Sequence, residues 1–294
     1  MSWFKSNILE VKNGVEIVGW ADGTDEQIAA MLQAHYAGDI DVTEYWAVGE
    51  KRAIPISAIA ATGVSESHHA DTYDYVIIGL NHDDLVTPVN GITKAAITCQ
   101  QDRVFYTDTT TEYNTSYDIA HECGYMNSSN DNSTGWRNCA RRTWCNGVYK
   151  AALPQYIQDN IQQVYKSTAA AGNSSSPTWT ASTDYCWLPS EWEVFGAKTR
   201  SAEDGTSGTH YVNGTSGTSI TMPKGGVQYT YFANATVNRY KKPAYDSSSY
   251  PSSIWWERSP CSSNSARFCN VYAVGSADDD SASDARGLAP AWAL

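Results

Sequence analysis

Hydrophobic and polar positions change period along the chain, and each change predicts an element. Val15 to Trp20 alternates like a short strand, and Asp22-Gly23 turns the chain. Thr24-Asp25-Glu26-Gln27 then has the spacing of a capping box opening a helix over Asp25 to Tyr36. Ile28, Met31, Leu32 and His35 recur on one face of that helix, and Gly38 is placed to end it. His35 on that apolar face reads as a packed helix residue. From Trp46 the pattern turns to strands: Tyr73 to Leu80 and Ala95 to Cys99 read as buried strands flanking the loop Asn81 to Asp84. Cys139 to Asn146 and Pro154 to Lys166 read as helices. The second has Pro154 in its first turn and Ile157, Ile161, Val164 and Tyr165 as its apolar stripe. Two Ser/Thr/Gly-rich segments, 167–183 and 201–226, are expected to be surface loops because they are too polar to bury. Trp46, Tyr75, Ile77, Trp144, Trp187, Val194, Trp255 and Trp256 are the expected core. No internal repeat is visible.

Composition sharpens this reading. The chain has 294 residues, enough for one large domain or two ordinary ones, and carries 11 Trp and 19 Tyr against 5 Phe. Such rings bury a large apolar body and keep a polar handle, which suits shallow cores and contact surfaces. The net charge of -12 lacks the basic footprint that phosphates or anionic lipid require, so nucleic-acid and membrane-surface roles are disfavoured. There is no 18-residue apolar run and no signal-peptide core after Met1, so a protein made in the cytoplasm is expected. The seven cysteines lack any CxxC pair and are expected to be reduced, mostly buried thiols. Sequons at Asn114, Asn127, Asn132, Asn173, Asn213 and Asn234 then report polar loops and not glycosylation.

The last 40 residues contrast most with the rest. Bulky flanks, Trp255, Trp256, Pro290 and Trp292, bracket a run of Ser, Asn, Asp, Ala, Arg, Tyr and Val between Pro260 and Gly287. Ser, Asn and Tyr are the composition of loop-borne recognition surfaces. The other reading is an ordinary polar loop near a terminus.

Ordered motifs accompany this stretch: TrpAlaValGly at 46–49, IleGlyLeuAsnHisAspAsp at 78–84, MetAsnSerSerAsn at 126–130 and LeuProSerGluTrpGluValPheGly at 188–196. TrpTrpGluArgSerPro at 255–260 and GlyLeuAlaPro at 287–290 close the series. Over about residues 45 to 294 the chain resembles an uncharacterised domain family of gut bacteria, their prophages and their phages. That domain is similar to the C-type-lectin-like group, which includes formylglycine-generating enzymes and the variable proteins of diversity-generating retroelements. The resemblance implies an α+β, C-type-lectin-like domain with long irregular loops over 46–294, preceded by a small strand and helix attachment module over 1–45. In the retroelement proteins, mutation of adenine-rich Asn codons yields mainly the residue types found here between Ser262 and Asp284. The implied function is a phage or prophage adhesion or receptor-binding protein on the virion surface. Its variable face would comprise Ser262, Ser263, Asn264, Ser265, Arg267, Tyr272, Asp278, Asp279, Asp280, Ser281, Ser283, Asp284 and Arg286. Implied partners are a host cell-surface protein or glycan at that face, and other virion or self chains, including a homo-oligomer, through the N-terminal module. The alternatives are a purely structural virion component and a formylglycine-type oxidase.

Catalytic candidates are few. His68 and His69 stand near Glu66 and Asp71, but adjacent strand residues point to opposite faces and no helical metal spacing occurs. Asn81-His82-Asp83-Asp84 has the residues for an oriented general base, and equally those for a turn, which is the preferred reading. Cys261 and Cys269 correspond in general position to the cysteine pair that works with copper in the formylglycine-generating enzymes. A buried structural thiol is preferred for Cys269, with Cys269 and Val271 inward and Arg267 less shielded. Asp278, Asp279, Asp280 and Asp284 have the oxygens for calcium, yet the Glu-Pro-Asn and Trp-Asn-Asp signatures of calcium-dependent lectins are absent, so a solvated acidic patch is expected. No enzyme activity, cofactor or metal is expected.

Overall fold

In a computed structural model of the chain, the structure describes residues 8–65, 67–105, 124–170, 177–214, 217–241 and 252–294. The fold is α+β, with short helices set among four sheets. At the N-terminus Ile8–Lys12 and Val15–Val18 pair antiparallel around Asn13-Gly14, both in the left-handed region, as a two-residue hairpin turn requires. The helix Asp25–Ala37 carries the expected capping box, Thr24 with Gln27, and ends at Gly38 with φ 85°. Ile28, Met31, Leu32 and His35 are all buried. This module packs into the same hydrophobic core as the rest of the chain. Trp20 meets Trp46 at 5.4 Å between ring centroids, and Trp46 Nε1 donates to the Val18 carbonyl at 3.0 Å. Arg52 fastens the junction by donating to the carbonyls of Trp20 and Gly23 and to Asp25 at 2.6 Å.

The central sheet runs in the order Cys186–Trp187, Ala291–Ala293, Ile97–Gln101, Asp71–Leu80, Lys51–Ile56, and every pair is antiparallel. The end of the chain is thus an interior strand: Trp292 lies opposite both Cys186 and Cys99, and all residues from Gly287 to Leu294 are buried. A six-stranded sheet follows the order Ser219–Pro223, Ser207–Val212, Trp179–Asp184, Val164–Ala169, Asp84–Val89, Ile92–Lys94. Only its Ser207–Val212 and Trp179–Asp184 pair is parallel. Trp255–Pro260, Arg267–Val271 and Ala277–Ser281 form a three-stranded antiparallel meander. Trp46, Tyr75, Ile77, Trp144, Trp187, Val194, Trp255 and Trp256 are all buried, as expected.

Four expectations need correction. The helix expected over Pro154 to Lys166 ends at Asn160, and Val164 and Tyr165 begin a strand. Segment 167–183 is not a surface loop at its described ends: Val164–Ala169 pairs with Trp179–Asp184, and Ser167, Thr168, Thr180 and Ser182 are buried. Their β-branched and small side chains suit a pleated sheet, and the hydroxyls of Ser167, Thr180 and Ser182 find partners inside, as when Ser182 donates to Asp184 at 2.5 Å. Segment 201–226 likewise holds the hairpin Ser207–Val212 with Ser219–Pro223. The helix Ala140–Trp144 also continues past Asn146, through a π turn at Cys145–Tyr149 into Lys150–Ala152. Among the described residues, no helix is long and apolar enough to cross a membrane.

Candidate functional site

The C-terminal meander rests on a frame of buried side chains. Every residue of Trp255–Pro260 is buried, though the strand reads Trp-Trp-Glu-Arg-Ser-Pro and is half polar. Each polar group therefore needs an internal partner. Trp255 Nε1 donates to the Arg239 carbonyl at 2.9 Å and Trp256 Nε1 to that of Gly124 at 2.7 Å. Arg258 forks onto Glu193 at 2.5 and 3.1 Å and donates to the carbonyls of Leu188 and Ser167 at 3.1 Å.

Glu193 leads to the middle of a buried ionic chain. It completes the capping box of the helix Glu191–Phe195 with Ser190, and it also accepts from Lys166 at 3.1 Å. Lys166 donates to Asp83 at 2.5 Å and to the Tyr229 hydroxyl at 2.8 Å, and its ammonium lies 4.0 Å from the Trp187 ring centroid. Asp83 in turn contacts His82 Nδ1 at 3.0 Å and accepts from Thr98, while the His82 ring stacks on Tyr229. Burial pushes the Asp83 carboxyl up, but Lys166 and His82 outweigh it and hold it well below the usual range. Glu193 is held low against the same burial by Arg258 and Lys166. The turn expected at Asn81 is present, with φ 46°. Sequence reasoning misses the network centred two residues later, because Lys166 reads as the end of a helix and lies instead within the strand Val164–Ala169.

The backbone of the expected face is held by residues from elsewhere in the chain. The Asn132 side chain donates to the carbonyls of Asn264 at 2.8 Å and Arg267 at 2.5 Å, and its backbone N–H donates to Ser265 at 2.7 Å. Ser262 bonds the Arg200 carbonyl through both its N–H and its hydroxyl at 2.9 Å. Ser263 and Ser265 are exposed, whereas Ser262, Asn264, Arg267, Tyr272, Asp278, Asp280, Ser281, Ser283 and Asp284 are half-buried. Asp279 and Arg286 are buried and act within the sheet.

Charges on this face are mostly matched internally. Asp279 accepts from Arg267 at 3.1 Å and lies 3.4 Å from Arg200, which also reaches Asp278 at 3.5 Å. Arg286 pairs with Asp280 at 2.7 Å and lies 3.9 Å from Asp284. The acidic run is thus an ion-pair ladder, not the freely solvated patch expected. Among the described residues, no group of three or more His, Cys, Asp or Glu side chains is placed to hold a metal. Beyond the ladder, the turn after Val271 presents Tyr272 and an exposed Val274. It closes on Gly275, where a Cβ would sit 2.2 Å from the Tyr240 ring, so half-exposed Tyr240 flanks the tip only because this position is glycine. Arg200 and Tyr240 escaped sequence reasoning; neither carries a local signal tying it to the meander.

The remaining candidates resolve as packed residues. Cys261 and Cys269 are both buried and unbridged; every residue from Phe268 to Val271 is buried, with no alternation, while the Arg267 side chain stays 44% exposed. Burial, then the acidic neighbours Glu191, Glu257 and Glu203, pushes the Cys269 thiol well up, opposite to what an attacking or metal-binding thiolate needs. His68 is buried against Phe105 with Ser65 Oγ at 3.0 Å from its Nε2, while His69 and Asp71 are exposed. Glu66 lies outside the described residues.

Residues 113–294 match the family model described as a domain of unknown function, DUF6273. The chain belongs to that family. No curated protein and no solved structure matches it. The matched region contains the whole meander, but Asp83 at the end of the buried ionic chain lies outside it, and its last strand, Ala291–Ala293, sits between Cys186–Trp187 inside the region and Ile97–Gln101 outside it. The family domain in this chain is therefore completed by strands that precede it.

Proposed function

We propose that this chain is an adhesion or receptor-binding protein of a phage or prophage particle, built on a C-type-lectin-like domain. Its ligand face is the C-terminal meander. The observation that carries the reading is a division of labour: loop 261–267 is held by bonds to its backbone from Asn132 and Arg200, while Ser263 and Ser265 project outward without bracing the core. A surface whose backbone is fixed from below accepts changes in its side chains at little cost in stability, which is the property a diversified binding face needs. Tyr272 and Arg267 are the energetic anchors of the face, being the residue types that dominate interfaces. The N-terminal module serves attachment to virion chains or to a second copy. Its outer strand exposes Leu9 at 67% and Val11 at 65%.

The test is binding of the labelled full chain to a panel of intact gut bacterial cells. The wild type is expected to bind a subset, and the double variant Arg267→Ala, Tyr272→Ala to lose at least tenfold in affinity with an unchanged melting temperature. Equal binding by the double variant refutes this face.

A further inference from the structure

The buried ionic chain holds two side chains placed to react with each other. Leu85 pairs with Val164 across antiparallel strands, and the same register carried two residues on sets Asp83 opposite Lys166. Lys166 Nζ donates to Asp83 Oδ1 at 2.5 Å. For ordinary hydrogen-bond angles that contact sets the nitrogen about 3–3.5 Å from the carboxyl carbon, the separation of a near-attack pair. Both side chains are shut away from water, Lys166 at 1% and Asp83 at 4% exposure, and the Trp187 and Tyr229 ring centroids lie 4.0 and 5.3 Å from the ammonium.

Tyr229 sits where a condensation needs a proton carrier. Its hydroxyl accepts from Lys166 Nζ at 2.8 Å and is within donating distance of Asp83 Oδ1 at 3.3 Å and Oδ2 at 3.1 Å, so it bridges the nitrogen that must lose a proton and the carboxyl that must gain one. Thr98 donates to Oδ2, the oxygen that carries negative charge at a tetrahedral stage. Glu193 Oε1, 3.1 Å from Nζ, faces the positive charge that develops on the nitrogen as it bonds to carbon. We propose that Lys166 and Asp83 condense into an amide, tying the chain to itself across 83 positions. Until then the pair is a buried salt bridge. The ammonium passes one proton along its hydrogen bond to Oδ1, giving an amine and a carboxylic acid. Nζ then bonds to Cγ, a second proton leaves Nζ for the Tyr229 hydroxyl as that hydroxyl gives its own to Oδ1, and the Cγ–Oδ1 bond breaks to release one water. No oxidant, reductant or cofactor is consumed. Burial disfavours the carboxylate, and foremost among the charges that hold it ionised is the ammonium that reacts, so the reaction exchanges two buried ions for one neutral amide. The site is independent of the meander and of the adhesion reading.

The experiment measures the mass of the full chain, purified folded and then denatured and reduced. It is expected to be one water below the mass of the sequence, and a tryptic digest is expected to contain a branched peptide in which the Asp83 segment is joined to an uncleaved Lys166. Tyr229→Phe keeps the ring and removes the proton carrier. With its folding checked by a melting transition, and condensation followed from synthesis in a cell-free extract, it is expected to react about a hundredfold more slowly or less, the worth of a positioned acid–base group. A wild-type chain at its full sequence mass overturns the proposal. So does a lost water mapped to any other pair, or a folded Tyr229→Phe chain that condenses at the wild-type rate.

Discussion

Two sets of ion pairs in this molecule use the same side chains in opposite settings. The chain from Asp83 through Lys166 and Glu193 to Arg258 is buried, with Lys166 1% and Arg258 0% exposed. The ladder of Arg200, Arg267 and Arg286 on Asp278, Asp279, Asp280 and Asp284 reaches water through Arg200 at 45% and Arg267 at 44%, although Asp279 and Arg286 are buried. Removing one partner of a buried pair leaves an uncompensated charge in a low dielectric, whereas an exposed pair is screened and partly replaced by water. The buried chain is therefore part of what holds the frame, and the ladder is part of what the frame displays. Stability and the proposed recognition are thereby assigned to different depths.

The largest effect is expected at the centre of the buried chain. Lys166→Met takes the shared cation from between Asp83 and Glu193, leaving Asp83 only His82 and Glu193 only Arg258, and should cost about 3–5 kcal/mol in denaturant unfolding. A cost below 1 kcal/mol would place the load elsewhere.

Next is a pH effect. Burial pushes the Glu203 carboxyl up from 4.5 to about 7, despite Arg258 and the Ser259 hydroxyl. Burial, with Glu191 and Glu203 near it, also raises Glu257, whose carboxylate oxygens find no hydrogen-bond donor among the described residues. A folded value above the unfolded one gives a contribution fully present below about 4.5 and lost as pH rises through about 7. Asp83 and Glu193 act with the opposite sign: their contribution is present above the ordinary carboxylate range and lost as pH falls below it. Stability should therefore peak in the mildly acidic range, and Glu203→Gln should flatten the decline toward pH 8. A wild-type melting temperature that rises between pH 6 and 8 would contradict this assignment.

A smaller change, of opposite sign, is expected at Lys241. It is buried, its amine has no hydrogen-bond partner among the described residues, and burial lowers it to about 8. Its favourable contacts are the Trp255 ring at 5.6 Å and the Phe232 ring at 5.9 Å. Lys241→Met keeps the packing and removes the desolvated charge, so it should raise stability by about 1 kcal/mol at neutral pH. A loss of more than 1 kcal/mol would mean that the ring contacts outweigh desolvation. Smallest of all is Arg267→Ala, expected to change stability by less than about 1 kcal/mol because Arg267 is 44% exposed and Asp279 keeps Arg200 at 3.4 Å.

Local signals in the sequence marked local structure well. The capping box at Thr24 and Gln27 announced its helix, and the bulky residues around the polar run announced the frame, since Trp255, Trp256 and Trp292 can hardly be placed anywhere but inside. What escaped is non-local. Lys166 meets Asp83 across 83 positions and Arg258 meets Glu193 across 65, and no periodicity records such pairings. The buried Ser/Thr strands at Val164–Ala169 and Trp179–Asp184 misled for a related reason. Polarity argues against burial only until partners are known, and the partners lay on neighbouring strands. The candidate face was legible as a composition, but its internal charge matching needed Arg200, a residue from another part of the chain.

The central claim, that side chains of the meander are displayed by a frame that does not depend on them, is tested most directly by two libraries scored for folding through protease resistance. One randomises Ser263, Ser265, Tyr272, Asp278 and Ser281; the other randomises Trp255, Trp256, Glu257, Arg258 and Asn132. Most members of the first are expected to remain as resistant as the wild type and most members of the second to be degraded. Comparable losses in both libraries would contradict the account.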